Sequence, residues 1–274
     1  MSENSENPLK LPPPVVTYLL AAGCALTFFF QASGSNNPLT DVTYPGYVDP
    51  LSLWSGRYWG LLTSFFYHGN LIHVAFNIYW LIPFGTALER HLGWLRFLLF
   101  WVLATSFGSL MQAYTEGSTG VGASGFLYAL FGCLWVAGRE SPELAAVLSP
   151  GTKILLMVWL IACMAATSGG LVMIANGAHL GGIALGALYG YVFLCQHRLI
   201  WKQAAIAFTG LAFLPLFYAP WSGCWNLAQG VKAYSKAQYQ QAIFYFDRVQ
   251  LPPTTRLSSN TKLMPWNRPG SSRT

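Results

Sequence analysis

Gly120-Val121-Gly122-Ala123-Ser124-Gly125-Phe126 is a glycine-rich turn that opens an uncharged apolar run. Small neighbours on both sides of Ser124 let its hydroxyl and backbone N–H face one reacting carbonyl at a helix N-terminus, as an acyl-transfer nucleophile requires. The same small residues also suit plain packing between transmembrane helices. The choice between the two readings depends on the rest of the chain.

Composition fixes the solvent. The chain is 54% apolar and only 9% charged, with 11 Trp, 14 Tyr and 18 Phe, which excludes an ordinary soluble domain. Apolar runs cover residues 15–30, 70–88, 94–114, 122–138, 154–167 and 177–195, with a further run at 203–219, and Arg96 near the start of the third is the one charge within them. Most approach the roughly 20 residues that cross hydrocarbon, and the short fifth run is completed by polar flanks and a snorkelling Lys153. The reading is an all-α, polytopic membrane helical bundle, a six-helix core with a seventh run that either spans or, with Pro215 and Pro220, turns back as a re-entrant segment. A cytosolic segment 1–14 precedes a core at 15–196; a seventh transmembrane helix (197–221), a helical hairpin (222–253) and a disordered tail (254–274) follow.

A cytosolic N-terminus places Lys10, Arg90, Arg96, Arg139, Lys153, Arg198 and Lys202 inside and leaves Arg57 as the one basic residue in an outer loop. The expected location is therefore multi-pass and integral to the membrane, taken as the bacterial inner membrane. Cys24, Cys133, Cys163, Cys195 and Cys224 lack metal-ligand spacing and read as small buried side chains, with no disulfide framework. All nine acids are read as lying in loops or tails, and Glu89-Arg90 as a solvated or headgroup-facing stop.

Three spans run inward and carry polar residues near their outer ends. His73 and Asn77 are four apart in His68-Gly69-Asn70-Leu71-Ile72-His73-Val74-Ala75-Phe76-Asn77, so they share one helix face. Ser124 starts the fourth span, and His179 opens the sixth within Ala175-Asn176-Gly177-Ala178-His179-Leu180-Gly181-Gly182. Packing needs a separate reason for each group, whereas one water-accessible hydrolase site accounts for all four. Gly182, Gly186 and Gly190 form a smooth stripe, and Gly125 and Gly132 give the fourth span small positions to meet it, which brings Ser124 and His179 together. Without a carboxylate in a span, the chemistry is a dyad, with Tyr128 one turn below Ser124 as the ring to stack under His179. His73, Asn77 and the Ser124 N–H can donate to an oxyanion. Spacing leaves open which histidine is the base. The uncharged connection 167–173 reads as a movable cap over the site.

These three motifs, His68-x4-His73-x3-Asn77, Gly122-Ala123-Ser124-Gly125 and Ala178-His179-x2-Gly182-x3-Gly186, resemble the rhomboid family of intramembrane serine proteases over residues 15–196. The resemblance implies Ser124 as nucleophile and His179 as base. It also implies His73, Asn77 and the Ser124 amide as oxyanion hole, with Gly122, Tyr128, Asn176, Gly182 and Gly186 in support. Substrates would be transmembrane proteins cut near the membrane surface at helix-breaking small residues, with no metal or cofactor. The alternative is a catalytically inactive rhomboid-like protein that binds transmembrane helices; such relatives typically lose the serine or the histidine, and both are present. The family's Trp-Arg before a Leu-Leu-Thr run is here Trp59-Gly60-Leu61-Leu62-Thr63, with Arg57 as the nearby cation.

From residue 220 onward the tail holds seven Lys or Arg against the single Asp247, so the chain's net +6 belongs to the tail and implies no nucleic-acid partner. Gly230-x3-Tyr234-x4-Tyr239-x2-Ala242-x3-Phe246-x5-Pro252 looks like one tetratricopeptide unit. A single unit does not bury its own face, which leaves the lipid bilayer, a second copy or a peptide partner to cover it.

Overall fold

The structure is a computed structural model that describes residues 12–34, 48, 50–116, 119–195 and 199–249. The expected cytosolic residues 1–11 and the tail from 250 lie outside the described residues. All regular elements among the described residues are helical. They are α1 (Val15–Gly34), α2 (Pro50–Trp54), α3 (Gly60–Thr63), α4 (Leu71–Leu92), α5 (Trp94–Glu116), α6 (Ser124–Ala137), α7 (Pro142–Val147), α8 (Pro150–Ser168), α9 (Asn176–Tyr189), α10 (Leu199–Phe213), α11 (Gly223–Ser235) and α12 (Tyr239–Phe246). The protein is a polytopic helical bundle. Leu71–Leu92, Trp94–Thr115, Pro150–Ser168 and Asn176–Leu194 are each long and apolar enough to cross a membrane, and Val15–Gln31, Ser124–Ala137 and Lys202–Leu216 are shorter apolar helices.

Local sequence sets the helix starts. Asn70 caps α4 by accepting the His73 N–H at 2.8 Å, and Ser149 caps α8 by accepting the Thr152 N–H at 3.1 Å, with Pro150 behind it. α6 is the central helix, since all but Ser124, Trp135 and Val136 of its residues are buried. α8 is the opposite case: Ile154, Leu155, Val158, Trp159 and Ile161 are exposed, which makes that face the lipid-facing one in a bilayer.

The closest helix pair is α6 with α9. A Cβ on Gly182 would run into the Gly125 carbonyl, one on Gly186 into the Ala129 carbonyl, and one on Gly132 into the Ile183 carbonyl. On Gly190 it would meet the Cys133 carbonyl oxygen at 2.7 Å. These backbones approach so closely because a glycine stands on at least one side of each contact.

Two sequence expectations need correction. Glu89 is no headgroup-facing stop: it lies inside α4, is 3% exposed, and its carboxylate accepts the backbone N–H groups of Val16 (2.9 Å) and Thr17 (2.8 Å) and the Thr17 hydroxyl (2.7 Å). It caps the start of α1, where helix N–H groups have no intrahelical acceptor and the helix dipole favours an anion. The statement that every acid lies in a loop or tail therefore fails at Glu89. The C-terminal hairpin also covers part of its own face from within the chain. Cys224, Trp225 and Ala228 of α11 share a buried cluster with Leu53, Trp54 and Leu216. α11 and α12 meet where Gly230 leaves room for the Phe246 ring.

α10 continues into a 3-10 turn, Leu214–Leu216. Together they rise about 28 Å, close to the hydrocarbon thickness. Trp54 donates its indole N–H to the Pro215 carbonyl at 3.4 Å, so α10 returns to the end of the bundle where α2 and Ser124 lie, and the hairpin sits at that end.

Candidate active site

α6 has 14 residues, about 21 Å of helix, which is shorter than the roughly 30 Å of hydrocarbon. Residues 119–122 precede the first helical hydrogen bond, in which the Ala123 carbonyl accepts the Leu127 N–H at 3.0 Å, and buried backbone there must find partners within the protein. The Gly122 N–H donates to the Ser64 carbonyl at 3.0 Å and the Ala123 N–H to His68 Nε2 at 3.4 Å. His68 Nδ1 lies 3.1 Å from the Phe66 carbonyl; a single tautomer, with the proton on Nδ1, satisfies both contacts. His68 is a residue to which the sequence reading gave no role. Gly120 and Gly122 have φ of +70° and +111°, backbone that side chains other than glycine rarely adopt.

This turn presents Ser124 to α9. His179 Nε2 is 2.8 Å from Ser124 Oγ, and His179 is buried. The Tyr128 ring lies against the imidazole with centroids 4.8 Å apart, and its hydroxyl donates to the Leu156 carbonyl at 3.1 Å, which fixes the ring. Among the described residues His179 Nδ1 has no hydrogen-bond partner, so none of their carboxylates orients the imidazole.

Facing the pair across Gly122 are His73 and Asn77. A Cβ on Gly122 would lie 2.8 Å from His73 Nε2 and 3.4 Å from Asn77 Nδ2, so only glycine admits both side chains beside Ser124. His68 stacks edge-on against His73 with centroids 4.9 Å apart. Asn77 is 1% exposed, yet among the described residues neither atom of its amide has a partner. A buried, unpaired donor costs free energy unless a ligand or water completes it.

Asn176, expected in support, turns elsewhere: its Nδ2 donates to Thr167 Oγ1 at 2.8 Å, tying α9 to the end of α8. Gly182 and Gly186 act at one remove, by seating α9 on α6. Trp59 and Arg57 are exposed, and Gly60 is buried with Val48 in the space a side chain would need. An arginine at position 60 therefore has no room in this loop.

A cavity of about 660 Å³ opens over the pair. Its walls include His73, Asn77, Trp80, Ser124, Tyr128 and His179. Trp159 of α8 and residues 172–175 of the connection to α9 close its other sides. Leu171 and Met173 on that connection are 80% and 75% exposed.

A family model described as a Rhomboid domain matches residues 55–196. That range is more than half of the 274 residues and holds every site residue named above, so the chain belongs to the rhomboid family, whose members are typically intramembrane serine proteases.

Proposed function

We propose that the protein is an active intramembrane serine protease that works by a Ser124–His179 dyad. The observation that carries this reading is the 2.8 Å contact between His179 Nε2 and Ser124 Oγ in the wall of the cavity. His179 takes the hydroxyl proton as Ser124 Oγ attacks the scissile carbonyl, then returns it to the leaving amine. A water then attacks the acyl carbon as His179 takes its proton, and His179 passes that proton to Ser124 Oγ as the acyl bond breaks and the carboxyl product leaves. The developing oxyanion is met by the Asn77 amide, by His73 and by the Ser124 N–H, which sits in the first turn of α6 beyond reach of any intrahelical acceptor. Tyr128 orients the imidazole in place of an acid, and Gly122 keeps the oxyanion side open.

Substrates are transmembrane proteins. Their segment reaches the cavity in extended form, which favours small, helix-breaking residues near the membrane surface. The protein sits in the bacterial inner membrane with a cytosolic N-terminus and Ser124 near the opposite face, and the core comprises 15–196. At the C-terminus, the Gly230–Phe246 contact supports a single tetratricopeptide-like unit. Tyr234, Tyr239, Ile243 and Phe244 remain exposed on it, as the surface for a peptide or a second copy.

Co-expression with a model transmembrane substrate tests the reading. Cleavage by the wild type that disappears in Ser124→Ala is expected. Cleavage unchanged in Ser124→Ala refutes the serine mechanism, and substrate capture without cleavage by the wild type favours a helix-binding relative.

A further inference from the structure

The stretch that delivers Ser124 hangs from another segment at both ends. Thr119 donates its hydroxyl to the Val48 carbonyl at 2.9 Å, and the Gly122 N–H donates to the Ser64 carbonyl at 3.0 Å. That segment is pinned to α5 where Ser109 donates its hydroxyl to the Leu61 carbonyl at 3.0 Å and lies 3.3 Å from the Ser64 hydroxyl. Another side of it is covered by the C-terminal part of the chain: Val48, Leu53 and Trp54 share a buried cluster with Leu216, Trp225 and Ala228. Trp225 is 6% exposed and donates its indole N–H to the Phe217 carbonyl at 3.4 Å. None of these C-terminal residues lines the cavity over Ser124.

We infer that Trp225 is a positioning residue for hydrolysis at Ser124. Trp225 stacks edge-on against Tyr218 and Tyr245 and packs from α11 into the buried cluster that holds Val48, Leu53 and Trp54, and the Val48 and Ser64 carbonyls pass that constraint to residues 119–122. The constraint sets the height of the Ser124 hydroxyl and N–H against His179. This role rests on the protease reading above. Reacting groups held at near-attack distance lose on the order of a hundredfold in rate for a shift of about 1 Å, so a loose anchor outside the site reaches the chemistry.

The test uses the full chain in lipid nanodiscs. Two quantities are read: the rate at which a fluorophosphonate labels Ser124, and kcat and KM on a transmembrane substrate. Trp225→Ala, Thr119→Val and the double variant form a cycle, with Trp225→Phe as the conservative rescue. Leu144→Ala, at a buried position of α7, is the control for plain destabilisation. Trp225→Ala is expected to lower labelling rate and kcat about tenfold or more, with KM within about twofold. The double variant is expected to be no slower than the worse single variant, because both changes cut one chain of contacts. Trp225→Phe restores most of the rate, and Leu144→Ala lowers the thermal midpoint without slowing labelling. If Trp225→Ala fails to accumulate, Trp225→Leu enters the same cycle. A Trp225 variant that loses thermal midpoint yet labels at the wild-type rate overturns the positioning role, as do additive effects in the cycle. A wild type that neither labels nor cleaves instead removes the protease reading, and this role with it.

Discussion

At the scale of single residues, Asn77 is the side chain with the least explanation outside catalysis. Its amide is buried beside Gly122 and unpaired among the described residues, and the proposed oxyanion role gives that donor a partner in the transition state. Asn77→Ala is therefore expected to lower kcat by about 10²-fold or more while KM moves little, since removing a donor used only in the transition state has that signature; steady-state cleavage kinetics check it. Gly122→Ala forces an unfavourable φ and pushes a methyl into the His73 ring. Cleavage is expected to fall with His73 present and to recover in part when His73→Ala makes room. Ser124, His179, His73, Asn77 and Tyr128 were all legible in the sequence because each is a polar or glycine-flanked oddity at one depth. His68 was not given a role, because its partners are backbone groups brought together only by the turn. The resemblance implies a supporting place for Asn176, and the contact its side chain makes is a hydrogen bond from Nδ2 to Thr167 at the end of α8.

At the scale of helices, the four-residue glycine spacing on α9 was the most informative signal, because a stripe of small residues has one main use in a bilayer. Gly186→Val forces α9 away from the Ala129 carbonyl and is expected to cost about 3 kcal/mol or more, read as a lowered midpoint of unfolding with loss of cleavage. Glu89 shows where reading by element fails. Arg90 and His91 beside it give the appearance of a charged membrane stop, and its partners are 72 and 73 residues earlier. Glu89→Gln replaces one acceptor oxygen by an N–H facing other N–H groups, with an expected loss of about 1–3 kcal/mol, measured as a drop in thermal midpoint. Ser124 keeps its geometry in that variant, so fluorophosphonate labelling well below the midpoint is expected to persist.

At the scale of the whole molecule, the helical bundle and the order of its apolar helices follow from hydropathy. The docking of α11 on α2 does not, because it joins apolar residues more than 160 positions apart with no pattern to announce the pair. α10 brings the hairpin, with Lys232, Lys236 and Arg248 exposed, to the same end as Ser124. That arrangement sets basic residues on the side the charge bias disfavours. With a cytosolic N-terminus, Ser235→Cys is expected to react with a membrane-impermeant maleimide in intact cells, and Arg139→Cys only after lysis. All five native cysteines are buried, which keeps the background low. Reaction of both from outside contradicts the orientation.

The measurement closest to the central claim is covalent labelling of the purified protein by a fluorophosphonate, compared among wild type, Ser124→Ala and His179→Ala. The account predicts one adduct on Ser124, none in Ser124→Ala, and labelling slowed by about 10²-fold or more in His179→Ala. Labelling that survives intact without His179, or that falls on another residue, contradicts it.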